Sequence, residues 1–148
     1  MPCLECRKQI NNQEFLKSSK QFNLELCEAH RSRMERLVQL QHIPKEAISL
    51  YYHLRSIGIQ SMLAWWDGKQ QIDLAISRVK LNISIDPEMD PQFDFVIPSG
   101  HLSSSKLFEK EGYSYLHLSG AQINSFPEET VIQIRGIIEE LRYHVKIA

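Results

Sequence analysis

Apolar residues spaced three or four apart give way along this chain to apolar residues spaced two apart, and these changes of period predict its elements. From Cys27 to about Gln41, the residues Met34, Leu37, Val38 and Leu40 fall at roughly helical spacing until Pro44 breaks the run. "PKEAISLYYHLRSIG" reads as a second helix. Pro44 stands near its first position and Glu46 in its first turn, while Ala47, Leu50, Tyr51 and Leu54 form the buried stripe and Gly58 ends it. Period two then takes over in "IQSMLAWW" (59–66), "QQIDLAI" (70–76) and "VKLNISI" (79–85). The links "DGK" and "SR" are short enough for antiparallel hairpins, so a meander is expected. "DPEMDPQFDFVIPSG" predicts a long irregular connection or a short strand at Phe93 to Ile97. "SSSKLFEKEG" predicts a helix ending at Gly112, and "YSYLHL" (113–118) a strand. "PEETVIQIRGIIEELRYHVKI" (127–147) predicts a long helix opened by Pro127, with Glu128 and Glu129 at its positive end.

A chain of 148 residues with 43% hydrophobic content fits one domain, or one domain with a small appendage, and can bury a core. Apolar runs are only a few residues long, far short of the roughly 20 that span a bilayer. The first residues lack the apolar stretch of a signal peptide, so a soluble cytoplasmic protein without a membrane partner is expected. The formal net charge of −1 gives no general pull towards nucleic acid. Residues 1–42 carry seven Lys/Arg against five acids and are the one basic segment. Arg31, Arg33 and Arg36 on the predicted helix form either a local nucleic-acid patch or an ordinary solvated face.

Three cysteines fall within the first 27 residues, as "CLEC" (Cys3, Cys6) and "LCEAH" (Cys27, His30). Cys-x2-Cys followed by Cys-x2-His matches structural zinc, because each x2 spacing lets one tight turn present two ligands to one ion. Four protein ligands close the site to catalytic water. Reduced, buried cysteines are the alternative, since an odd number cannot all pair and a reducing cytoplasm discourages disulfides. The Asn-Asn and Ser-Ser signals between the two pairs predict a small hairpin over the metal.

With Ser77 and Arg78 as a two-residue turn, Ile72, Leu74, Ile76, Val79, Leu81, Ile83 and Ile85 share an apolar face. Gln71, Asp73, Ala75, Lys80, Asn82, Ser84 and Asp86 share the other. That second face reads as the wet side of an ordinary sheet, or as a site where Asp73 and Asp86 offer oxygens to a hard divalent cation. Residue 84 is a hydroxyl where a second carboxylate would complete such a site.

The run "YYHLRSIGI...WWDGKQQIDLAISRVKLNISID" resembles small bacterial endonuclease-like domains of the PD-(D/E)XK superfamily, of the very-short-patch-repair type. Their wording is close to "DGHKHIDIAI...KLNIEIDG.QH". The likeness continues through "LFEKEGYSYLHL" into the last helix, and it is strongest between residues 67 and 86. It implies a restriction-endonuclease-like fold, a mixed sheet flanked by helices (α+β or α/β), behind a zinc-finger-like segment. The expected division is 1–42 for the Cys/His segment with its connecting helix and 43–148 for the nuclease-like domain. Carried over by position, the metal-binding aspartate is Asp73, the helix glutamate Glu46, the second hairpin acid Ser84, and the last acid Asp86.

The departures gather at the chemistry. Ser84 replaces the Glu of "IEID", Pro87 the Gly of "DG", and the basic helix that usually follows reads "VIPSGHLSSSK", with Pro98 and Gly100 in its path. The resemblance therefore implies a degenerate nuclease that binds nucleic acid, DNA first, or a protein partner. An active Mg2+ or Mn2+ endonuclease, its acid set rearranged through Glu46, Glu88 and Asp90, is the second expectation. A protein-interaction module using Trp65 and Trp66 is the third. Among the histidines, His101 alone lies where a catalytic role is imaginable, and His53, His117 and His144 have no ligand spacing.

Overall fold

The computed structural model describes residues 1–87, 107–110 and 112–147. Three helices come first: α1 (Asn12–Phe22), α2 (Glu28–Gln41) and α3 (Lys45–Ser56). Strands β1 (Met62–Trp66), β2 (Gln71–Ile76), β3 (Leu81–Asp86), β4 (Leu107–Lys110) and β5 (Tyr113–Ser119) follow, then α4 (Gly120–Ser125) and α5 (Pro127–Ile147). The strands form a mixed sheet in the order β1-β2-β3-β5-β4. β3 and β5 pair in parallel and the other neighbours antiparallel, which gives an α+β architecture with helices against the sheet.

One sheet face makes the core. Leu74, Ile76, Leu81, Ile83, Leu116 and Leu118 are almost wholly excluded from water and join one cluster with Ile48, Leu50 and Leu54 of α3 and Ile123 and Ile134 of α4 and α5. Each such side chain contributes roughly 1.5–3 kcal/mol by its burial. Cys3, Ile10, Phe22, Leu24, Leu26 and Cys27 belong to the same cluster, so the N-terminal segment shares its interior with the sheet. Arg55 of α3 also donates to Glu5 at 2.6 Å.

The period-two segments and the helices α2, α3 and α5 form where expected, but Leu40 of the α2 stripe points outward at 68% exposure and Tyr51 of the α3 stripe is only half-buried. Three local readings also change. The segment expected as a hairpin over the metal is α1. Asn11 is its N-cap, accepting from the Glu14 N–H, while the Glu14 carboxylate accepts from the Asn11 N–H. Asn-Asn here opens a helix through a capping box instead of turning a hairpin. Ser18 is buried, donating to the Leu24 carbonyl and accepting from the Leu26 N–H, so it locks the chain's return to Cys27.

The β2–β3 link is a four-residue bend containing a 3-10 turn (Ser77–Val79), with Lys80 left-handed at φ 54°. The pairing is Leu74 with Ile83 and Ile76 with Leu81. That register differs by two residues from a tight turn's, so every side chain keeps its face. The last part of "SSSKLFEKEG", expected as helix, is β4, and Gly112 turns the β4–β5 hairpin at φ +84°. A glycine at positive φ reads equally as a helix stop or a hairpin turn, and strand pairing decides between them. The strand expected at 93–97 lies outside the described residues.

Candidate metal centre and the polar face of the sheet

The Cys-x2-Cys turn is built by backbone hydrogen bonds. The Cys3 N–H donates to the Lys8 carbonyl at 2.8 Å and the Arg7 N–H to the Cys3 carbonyl at 2.9 Å. Arg7 takes a left-handed φ of 64°, which turns the chain sharply behind Cys6. The Leu4 N–H donates to the Glu25 carbonyl at 2.8 Å and so docks this turn beside Cys27. Cys27 is the N-cap of α2, and His30 follows in the helix's first turn.

These two turns bring Cys3, Cys6, Cys27 and His30 together, with all four ligand atoms within 4.8 Å of one another. The Sγ atoms of Cys6 and Cys27 are 3.9 Å apart, and His30 Nδ1 lies 3.7 Å from Cys3 Sγ and 3.1 Å from Cys27 Sγ. Two thiolates on a tetrahedral zinc stand about 3.8 Å apart, so the set could hold an ion such as zinc with small adjustments of its side chains. Burial opposes ionisation of Cys3, yet N–H groups of Cys27, Cys6 and Glu5 outweigh it and hold the thiol at about 6. Burial pushes the Cys27 thiol up. A cation at the centre would relieve that cost, because metal binding deprotonates its thiols.

Arg31 does not belong to a nucleic-acid patch. It is buried, donating to Glu28 at 2.6 Å, to Glu35 at 3.1 Å and to Gln21 at 2.8 Å, and so pins α2 to α1. Arg33 and Arg36 remain exposed.

On the sheet face opposite the core, Asp73 and Ser84 line a groove of 540 Å³ that Tyr113, Tyr115 and His117 of β5 also line. Asp73 sits where two ladders lose their regular pairing. Towards β3 the ladder ends at Leu74 and Ile83, and Asp73 Oδ2 accepts from the Ile85 N–H at 2.8 Å in place of a strand carbonyl. Towards β1 it faces Ala64, which lies between the Leu63–Leu74 and Trp65–Ile72 pairs and has φ 53°. A left-handed alanine inside a strand stores of order 1–3 kcal/mol, a kind of strain that gathers at functional sites. Burial raises the pKa of Asp73, and the Ile85 N–H opposes that rise.

Ser84 pairs with His117 across the parallel β3–β5 ladder, so Asp73, Ser84 and His117 form a row across three strands. Asp86, at the end of β3, pairs with Ser119. Glu46 reaches the same end of the sheet from α3. A Cβ built on Gly120 would lie 3.0 Å from Pro87 Cα and 3.1 Å from Glu46 Oε2, so helix and strand end approach most closely where this residue has no side chain. Glu46 is 5% exposed, with no hydrogen bond or ion pair among the described residues.

The four expected positions thus divide into two places, Asp73 and Ser84 in the groove and Glu46 and Asp86 at the strand end. Among the described residues Cys3, Cys6, Cys27 and His30 are the one group of three or more metal-ligating side chains that converges. Glu88, Asp90 and His101 lie outside the described residues. No protein-family model, curated protein or solved structure matches this chain.

Sequence reasoning passed over Tyr113, Tyr115 and His117 as site residues. The alternation in "YSYLHL" puts them on one face, but their place beside Ser84 depends on the parallel β3–β5 pairing, which no local pattern records. Among the described residues no helix is long and apolar enough to cross a membrane.

Proposed function

We propose that this chain is a nuclease-like domain of restriction-endonuclease type whose hairpin metal site has degenerated, and that it binds nucleic acid with little or no cleavage. The observation that carries the reading is the Asp73–Ser84 pair. Asp73 uses one carboxylate oxygen on the Ile85 N–H, and its neighbour across the hairpin is a neutral hydroxyl. A serine is a far weaker Mg2+ ligand than a carboxylate, so the groove is one acid short of an ion site that activates water. The N-terminal set holds structural zinc in this reading, since three thiolates and an imidazole leave no open coordination position.

A cleavage assay on supercoiled plasmid and on single-stranded DNA and RNA, with Mg2+ or Mn2+, tests it. The protein is expected to be inactive and Ser84→Glu to gain cleavage, while the natural protein still retains DNA. Robust cleavage that Asp73→Ala abolishes would overturn the proposal in favour of an active Mg2+ or Mn2+ endonuclease. One observation favours that second reading: Glu46 is a buried acid without an ion pair among the described residues, beside Pro87 at the end of β3.

A further inference from the structure

We infer that the groove on the polar face of the sheet takes single-stranded nucleic acid, its bases stacking on Tyr113, Tyr115 and His117. This rests on the nucleic-acid reading above and names the form of the ligand. The three rings alternate along β5 with Ser114, Leu116 and Leu118, which are buried in the other direction. All three rings line the groove that holds Asp73 and Ser84. Its 540 Å³ falls within the roughly 300–1,000 Å³ of sites that enclose an organic ligand.

Spacing supports stacking. Residues two apart on a strand stand about 6.8 Å apart, twice the ~3.4 Å rise between stacked nucleotides, so each ring can fill the gap between successive bases. A duplex offers no such gap, whereas aromatic platforms on an open sheet are how single strands are held without strict sequence preference.

Charge points the same way. Duplex binding draws most of its affinity from phosphates, and this chain has a net charge of −1 with Arg31 drawn into the interior. Local cations are enough for a strand held mainly by its bases. Lys80 Nζ lies 5.9 Å from the Tyr113 ring centre at one end of the strip, and Lys69 lines the groove near the other. Asp67, the acid on the rim, is committed to its own turn, accepting from the N–H groups of Lys69 and Gln70 at 2.8 Å.

The test is equilibrium binding of the full chain to labelled oligothymidylate, to a strand of abasic sites of equal length, and to a duplex of equal length. Oligothymidylate is expected to bind tightest. Tyr115→Leu and Tyr113→Leu should each weaken it by about 5- to 100-fold, and Tyr115→Phe should not. Unchanged far-ultraviolet circular dichroism separates lost stacking from lost folding, and Tyr115→Phe keeps the test valid where a leucine variant is unstable. Equal affinity for the abasic strand, preference for the duplex, or full binding by folded leucine variants would overturn the inference while leaving nucleic-acid binding standing. Binding to none of the three would overturn both readings. Cleavage that Asp73→Ala abolishes would overturn only the claim of inactivity.

Discussion

The Cys/His centre is assembled from two short stretches of chain and the groove around Asp73 from three strands, and they differ in how firmly the backbone determines them. At the centre, each pair of ligands comes from one tight turn, with the Cys3–Lys8 hydrogen bond closing the first turn and the Leu4–Glu25 bond docking it against the second. Four donor atoms then converge before any ion is considered. On the sheet, strand pairing places Asp73 beside Ser84 but leaves Glu46 and Asp86 at the strand end. Local geometry alone can finish a closed metal site. A polar groove spread over several strands depends instead on which residue type stands at every position, and here position 84 is a serine.

The largest expected effect tests the first half of that contrast. The centre shares the protein's core through Cys3 and Cys27, so metal affinity enters the free energy of folding. Removing the ion with a chelator, or substituting Cys27→Ser, should lower the melting temperature by at least about 10 °C. Elemental analysis should find one zinc per chain in the natural protein and none in the variant. An unchanged melting temperature would place the centre outside the folding unit.

A smaller effect is expected at the strand end. Gly120→Ala puts a methyl group 3.0 Å from Pro87 Cα and 3.1 Å from Glu46, and should cost about 1–3 kcal/mol by denaturant titration. Adding Glu46→Ala should recover part of that loss. Full additivity of the two changes would mean that Glu46 does not hold this position.

The smallest effect belongs to Asp73. Its folded pKa lies above the ordinary 3.8 because burial disfavours its charge. The folded state therefore binds more protons than the unfolded one between those values, and stability falls as pH rises through the folded pKa. Asp73→Asn keeps an oxygen for the Ile85 N–H and removes that loss. Its stability relative to the natural protein should be greatest at neutral pH and should fade as pH drops towards 3.8, followed by thermal melts across pH. A pH-independent difference would show that charge burial at Asp73 is not what the substitution relieves.

Much of this arrangement was legible before any coordinates. The x2 spacings named all four residues of the centre, because a tight turn is a local event. Strict alternation in β2 and β3 sorted Asp73 and Ser84 onto the polar face, and this survived a two-residue change of register because the period is two. Where two local signals compete, the residues did not decide: Asn11 and Glu14 cap a helix while looking like a turn, and Gly112 ends a hairpin while looking like a helix stop. The bond from Arg31 to Gln21 of α1 and the pairing of Ser84 with His117 join separate elements, which pattern alone does not register.

The left-handed Ala64 also bears on how the molecule meets its neighbours in a crowded solution. Among the described residues β1 is an edge of the sheet, and an edge strand carries a row of amide groups that another chain's strand can extend into an aggregate. A peptide turned at φ 53° midway along β1 puts that row out of step with a regular incoming strand. The backbone irregularity beside Asp73 thus makes β1 a poor template for a regular incoming strand, next to a Trp66 that is 63% exposed at its end.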